Sequence, residues 1–71
     1  MKTEPGTVTA NGEPKKVELP CSIAEFLASS GWRATQVVVE LNGHVVSRDR
    51  LGELQLHDGD RLEVIVPVAG G

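Results

Sequence analysis

The chain has little of what would commit it to several common kinds of protein. Its single cysteine, Cys21, cannot close an internal disulfide, which excludes a disulfide-stapled scaffold. Only two aromatic residues, Phe26 and Trp32, are present, and no run of lysine or arginine accompanies them. Ten acidic against seven basic side chains give a net charge of -3. Binding a phosphate backbone needs clustered cations and stacking on bases needs aromatic platforms, so no nucleic-acid partner is expected. An acidic chain is better matched by a basic protein surface. No apolar stretch nears the ~18 residues of a membrane span, and no signal-peptide pattern opens the chain. The expectation is therefore no membrane role and a cytoplasmic location. Length restricts the chemistry too. The 71 residues make one domain, and a chain of this size buries only about 60% of its unfolded surface. Little volume is left for a preorganised pocket, so a carrier, modifier or binding module is expected before an enzyme.

Alternation and turn signals divide what is there. Residues 1–5 are polar, end in Pro5, and are expected to form a flexible N-terminus. Thr7-Val8-Thr9-Ala10 alternates like a strand, and Asn11-Gly12 signals a hairpin because both central positions of a type I′ turn need φ > 0. The return strand covers about Lys15 to Leu19, with Val17 and Leu19 inward and Lys16 and Glu18 outward. Ser22-Ile23-Ala24-Glu25 matches the capping box, in which serine and glutamate satisfy each other's exposed backbone donors. Ile23, Phe26 and Leu27 then recur at i, i+3 and i+4, one stripe of a helix over Ile23 to Ser30, and Gly31 is placed to close it in the left-handed conformation.

From Gln36 to Leu41 the chain is β-branched and sets Val37, Val39 and Leu41 against Val38 and Glu40. Asn42-Gly43 repeats the hairpin signal and leads into Val45-Val46. Ser47 to Gly52 reads as a charged loop with a helical twist, and Leu54 and Leu56 as packing beneath the turn Asp58-Gly59-Asp60. The last strand is expected over Arg61 to Val68, with Leu62, Val64, Val66 and Val68 on one face. Hairpin, helix, hairpin and final strand give the order ββαββ, an α+β domain with one helix packed on a mixed sheet of four to five strands. With the final strand central and parallel to the first, this is the β-grasp, or ubiquitin-like, fold, expected over residues 6–67 with a flexible tail at 68–71.

That tail ends in Gly70-Gly71. Glycine lacks a Cβ, so the pair is the slimmest backbone that can enter a narrow enzyme channel. Its last atoms are a carboxylate that an activating enzyme can turn into an acyl donor. Extended from Pro67 to Gly71, the segment would reach roughly 16–18 Å from the fold. The plain alternative is a frayed chain end.

Leu41-Asn42-Gly43-His44-Val45-Val46-Ser47-Arg48 resembles the Leu-Asn-Gly-x-Val-Val-Pro-Arg stretch of the ThiS family of thiamine-biosynthesis sulfur carriers. Asp58-Gly59-Asp60-Arg61-Leu62-Glu63-Val64, followed by Pro67-Val68-Ala69-Gly70-Gly71, resembles the rest of that family's C-terminal half, and Asn11-Gly12-Glu13 its opening hairpin. The resemblance spans roughly Thr7 to Gly71. Three departures stand out: Ser47 where the family often has proline, Cys21 where it usually has a small or polar residue, and a few extra N-terminal residues. The small subunit of molybdopterin synthase shares the fold and the ending, but its usual length and its lack of the Val-Val-x-Arg stretch favour ThiS. The resemblance implies that Gly71 is adenylated by a ThiF-type enzyme using ATP, while the chain itself binds no cofactor. A persulfide donor would then convert Gly71 to a thiocarboxylate that hands sulfur to thiazole synthase, with Gly70, Ala69 and Val68 threading the channels. Three alternatives stay open: a carrier for molybdopterin or another sulfur-containing product, a ubiquitin-like modifier joined to lysines, and a plain interaction module.

Other side chains carry weaker signals. Ile65 and Val38, with Val46, are expected on the sheet face away from the helix, rimmed by Glu40, Arg61 and Glu63, where they would suit partner docking; isolated exposed aliphatics are also ordinary. Arg48 suits either a partner carboxylate or a surface salt bridge. Cys21, at the helix start, reads either as a reactive thiol, because free backbone N–H groups there favour a thiolate, or as a small half-buried residue. Trp32 is expected to cover one end of the core. His44 and His57 stand thirteen positions apart with no companion at ligand spacing, so no metal site is expected.

Overall fold

Both Asn-Gly pairs turn as their chemistry requires. Asn11 and Asn42 lie at φ 51°, Gly12 at 81° and Gly43 at 87°, left-handed values that let a hairpin follow the right-handed twist of its strands. A computed structural model of the chain describes residues 2–68. The first turn joins β1 (Glu4–Ala10) to β2 (Glu13–Leu19), in register from Glu4 opposite Leu19 to Ala10 opposite Glu13. β1 thus starts before the alternating Thr7–Ala10 segment. Pro5 and Gly6 hide this in the sequence, yet Gly6 has a place. A Cβ on Gly6 would stand 2.5 Å from Leu19 Cδ1, so a close approach demands glycine there.

β3 (Cys21–Ser22) leads into α1 (Ile23–Ser29). The capping box forms: the Ser22 hydroxyl accepts from the Glu25 N–H at 3.0 Å, and the Glu25 carboxylate accepts from the Ser22 N–H at 2.8 Å. Gly31, at φ 84°, closes the helix. The Gly31 N–H reaches Ala28 O at 3.2 Å and the Trp32 N–H reaches Leu27 O at 2.8 Å, the paired bonds of a Schellman end. A 3-10 turn at Ala34–Gln36 precedes β4 (Val38–Leu41), so that strand starts two residues later than its β-branched composition suggests. The second Asn-Gly turn gives β5 (His44–Val46), followed by a 3-10 turn at Arg48–Arg50, β6 (Gln55–Leu56) and β7 (Arg61–Ile65).

The five-stranded sheet runs β2-β1-β7-β4-β5, with β7 central, parallel to β1 and antiparallel to β4. A separate pair, β3 with β6, pins the start of the helix and has no alternating signature of its own. Ile23, Phe26 and Leu27 bury one stripe of α1 against Val8, Val39 and Leu62 of the sheet. Each such side chain contributes about 1.5–3 kcal/mol through burial. Leu51 and Leu56 complete the core from the segment between β5 and β7.

β7 stops at Ile65 rather than Val68. Its core face holds Leu62 and Val64 only, and Val66 and Val68 are exposed. The reason is pairing: β4 begins at Val38, opposite Ile65, and Pro67 has no N–H to extend the ladder.

Candidate functional site: the exit of the central strand

Both neighbours hold β7 through side chains as well as backbone. On one flank, Asn11 Oδ1 accepts from the Val64 N–H at 2.7 Å and its Nδ2 donates to Val64 O at 3.2 Å. A single amide thereby fills both backbone positions of Val64 where β1 has already turned away. On the other flank, Asn42 Oδ1 accepts from the Arg61 N–H at 2.9 Å and its Nδ2 donates to Asp60 at 3.1 Å. The two turn asparagines therefore brace the strand that carries the tail. Sequence reasoning read them as turn residues alone; the signal available was asparagine, whose amide both donates and accepts, at the same position of both turns.

Beyond Ile65 the chain leaves the core. Val66 is 56% exposed and Val68 93%. Ala69, Gly70 and Gly71 lie outside the described residues.

The sheet face opposite α1 carries a small apolar cluster at this exit. Val38, 36% exposed, pairs across the strands with Ile65, 44% exposed. The next pair along is Glu40 opposite Glu63, and Val45, 68% exposed, stands on the other side of Glu40. Val46 is not part of this face. It pairs with buried Val39 and packs, half-buried, against the core, so alternation delivers Val45 to the open face in its place. Arg48 is exposed on the 3-10 turn after β5 and forms no ion pair among the described residues.

Cys21 is half-buried in β3. Burial, and then the neighbouring Glu25 carboxylate, push its thiol above the ordinary 9.0, so helix-start N–H groups do not produce a thiolate here. Glu25, the third residue of the helix, already accepts from the Ser22 N–H. Trp32 packs half-buried against the core beside the helix end. Among the described residues no group of three or more His, Cys, Asp or Glu side chains is placed to hold a metal ion, and no helix is long and apolar enough to cross a membrane.

One helix on a mixed five-stranded sheet, with the chain leaving from the central strand towards Gly-Gly, defines a β-grasp protein of the ubiquitin-like class. The sequence profile of the ThiS family matches residues 8–71. The chain belongs to the ThiS family of thiamine-biosynthesis sulfur carriers. The crystal structure of the thiamine biosynthesis protein ThiS from Geobacter metallireducens superposes with a TM-score of 0.80 at 32% identity, covering 92% of this chain and 99% of that one. A solution structure of a thiamine biosynthesis protein from the same organism gives 0.74 at 32% identity, covering 92% and 87%. A thiazole synthase of Magnetococcus marinus is 36% identical over 61 residues, which are 86% of this chain but 19% of that protein. The chain thus spans about a fifth of that relative. An uncharacterised protein, ycf40, of Pyropia yezoensis is 34% identical over 65 residues, 92% of either chain.

Proposed function

We propose that this chain carries sulfur as a thiocarboxylate on Gly71 and delivers it for thiazole formation. The observation that carries the reading is that the ThiS match runs through Gly70-Gly71 and that this ending follows directly from the central, doubly braced strand. A carboxylate resists attack because oxide is a prohibitive leaving group. A ThiF-type enzyme would let the Gly71 carboxylate attack the α-phosphorus of ATP, releasing pyrophosphate and leaving an acyl adenylate. The terminal sulfur of a persulfide then attacks the carbonyl and AMP departs. A thiol cleaves the resulting S–S bond, leaving the thiocarboxylate and a disulfide. ATP is thus the partner's substrate, and the chain supplies neither acid, base nor metal. It supplies the acyl group, a tail with no Cβ at its last two positions, and a docking face.

Thiazole synthase is the proposed acceptor; two proteins so named contain a segment similar to this chain, which supports the pairing. Val38 and Ile65 are proposed to seat the activating enzyme, with Arg48 at the periphery, and all of this takes place in the cytoplasm. The test is intact mass of the chain purified after incubation with ATP, the adenylating enzyme and a persulfide donor, beside a variant lacking Gly71. A gain equal to replacing one oxygen by sulfur, seen only with Gly71 present, is expected. An unchanged mass removes the reading, and lysine-linked adducts in cell extract would put a protein modifier in its place.

A further inference from the structure

Successive residues of a strand offer their backbone N–H and C=O to opposite flanks, so the flank served by each residue of β7 follows from its neighbours. Leu62 O accepts from the Asn11 N–H at 2.9 Å, and Val64 is bound through both groups by the Asn11 side chain. Both residues therefore serve the β1 flank. Arg61 serves the β4 flank, where its O accepts from the Asn42 N–H at 2.8 Å, and Ile65 follows it opposite Val38. Continued outward, the alternation gives Val66 and Val68 to the β1 flank and Pro67 to the β4 flank. Proline has no N–H, so Pro67 offers the β4 flank an acceptor but no donor. On the β1 flank no described strand follows Asn11, because β1 ends at Ala10 and turns back at Gly12. Over residues 66–68 an extended tail thus offers both donors and acceptors on one flank, through the N–H and C=O groups of Val66 and Val68.

The outer edges of the sheet are poor alternatives for a guest strand. β2 carries Pro14 followed by Lys15 and Lys16, and β5 is only three residues long, both features that discourage edge pairing. The geometry points to strand addition at Val66 and Val68: an extended segment of the adenylating partner pairs with the tail along its β1 flank only, starting immediately beyond Asn11. This deepens the proposed function and rests on it for the identity of the partner. Main-chain bonds would hold the tail straight as it enters the channel, and the exposed Val66 and Val68 side chains would flank apolar or β-branched residues of the guest. Recognition would depend on the N–H at position 68 more than on its side chain.

The experiment is amide hydrogen exchange of the full chain, free and bound to the adenylating enzyme of the same organism, read at Val66 and Val68. Exchange slowed by about tenfold or more at both amides is expected in the complex. Val68→Pro should weaken binding about three- to tenfold, the loss of one hydrogen bond, and Val68→Ala should weaken it less. Because a residue before proline favours extended backbone, Val68→Pro keeps the tail's direction. Pro67→Ala restores an N–H on the unused flank and should change neither binding nor protection. Val66 and Val68 amides exchanging at free rates within a complex would overturn the inference, as would undiminished binding of Val68→Pro or failure of the wild-type chain to bind. A complex with protected amides but no thiocarboxylate would instead remove the proposed function and leave strand addition standing.

Discussion

At the scale of single residues, Asn11 matters more than its place in a turn suggests. Asn11→Gly keeps the positive φ while removing the amide that satisfies both backbone groups of Val64. The expected loss is about 1–3 kcal/mol, the cost of unmet partly buried polar groups, measured by urea denaturation; Asn42→Gly should lose less, since its bonds are exposed. Cys21 makes the opposite case. Burial and Glu25 raise its pKa above 9.0, so the native thiol holds its proton more tightly than the unfolded one. The resulting stability is complete below the unfolded value and is lost as pH rises through the native one. Alkylation of Cys21 near about pH 8 should accordingly run slower than for a free cysteine, whose reactivity follows its thiolate fraction. Cys21→Ser should carry sulfur normally. Neither effect was legible in the sequence: Asn11 acts on a residue 53 positions away, and a thiol's pKa depends on what the fold packs around it.

At the scale of elements, local chemistry was the better guide. The helix could be read because its cap, its apolar stripe and its closing Gly31 all lie within ten residues. Hairpins were equally legible, since a type I′ turn admits few residue pairs. Strand ends were less so, because they depend on partners: β7 stops where β4 and β1 no longer accompany it. The β3–β6 pair joins segments more than thirty residues apart and has two residues in each strand, too few to alternate. Pairing also exposes a tension. Glu40 and Glu63 stand directly opposite each other on the open face, and neither meets a cation within salt-bridge distance among the described residues. Like charges so placed repel. Glu63→Gln should raise stability by a few tenths of a kcal/mol, and the gain should shrink in high salt; thermal melts at two ionic strengths check this.

At the scale of the whole molecule, the two faces of the sheet differ in what covers them. One sheet face is used up by the helix. The other stays open around Val38 and Ile65, beside the exit of the tail. Ile65→Asp should leave the melting temperature nearly unchanged, because the side chain is already exposed. It should raise the KM for the chain in ATP–pyrophosphate exchange roughly tenfold, the effect of losing a central docking side chain. An unaltered KM would take Ile65 out of the docking surface. The sequence by itself determined the turns, the capped helix, the apolar alternation and the Gly-Gly ending, because each depends on residues close together in the chain. It also sufficed for the family, whose motifs are linear. Only the tertiary structure decided that Val45 and not Val46 lies on the open face, that Val66 and Val68 stand outside the core, and that Asn11 seals one flank of β7 up to Val64. Those outcomes depend on which strands become neighbours and where each runs out, a long-range matter that no local pattern contains.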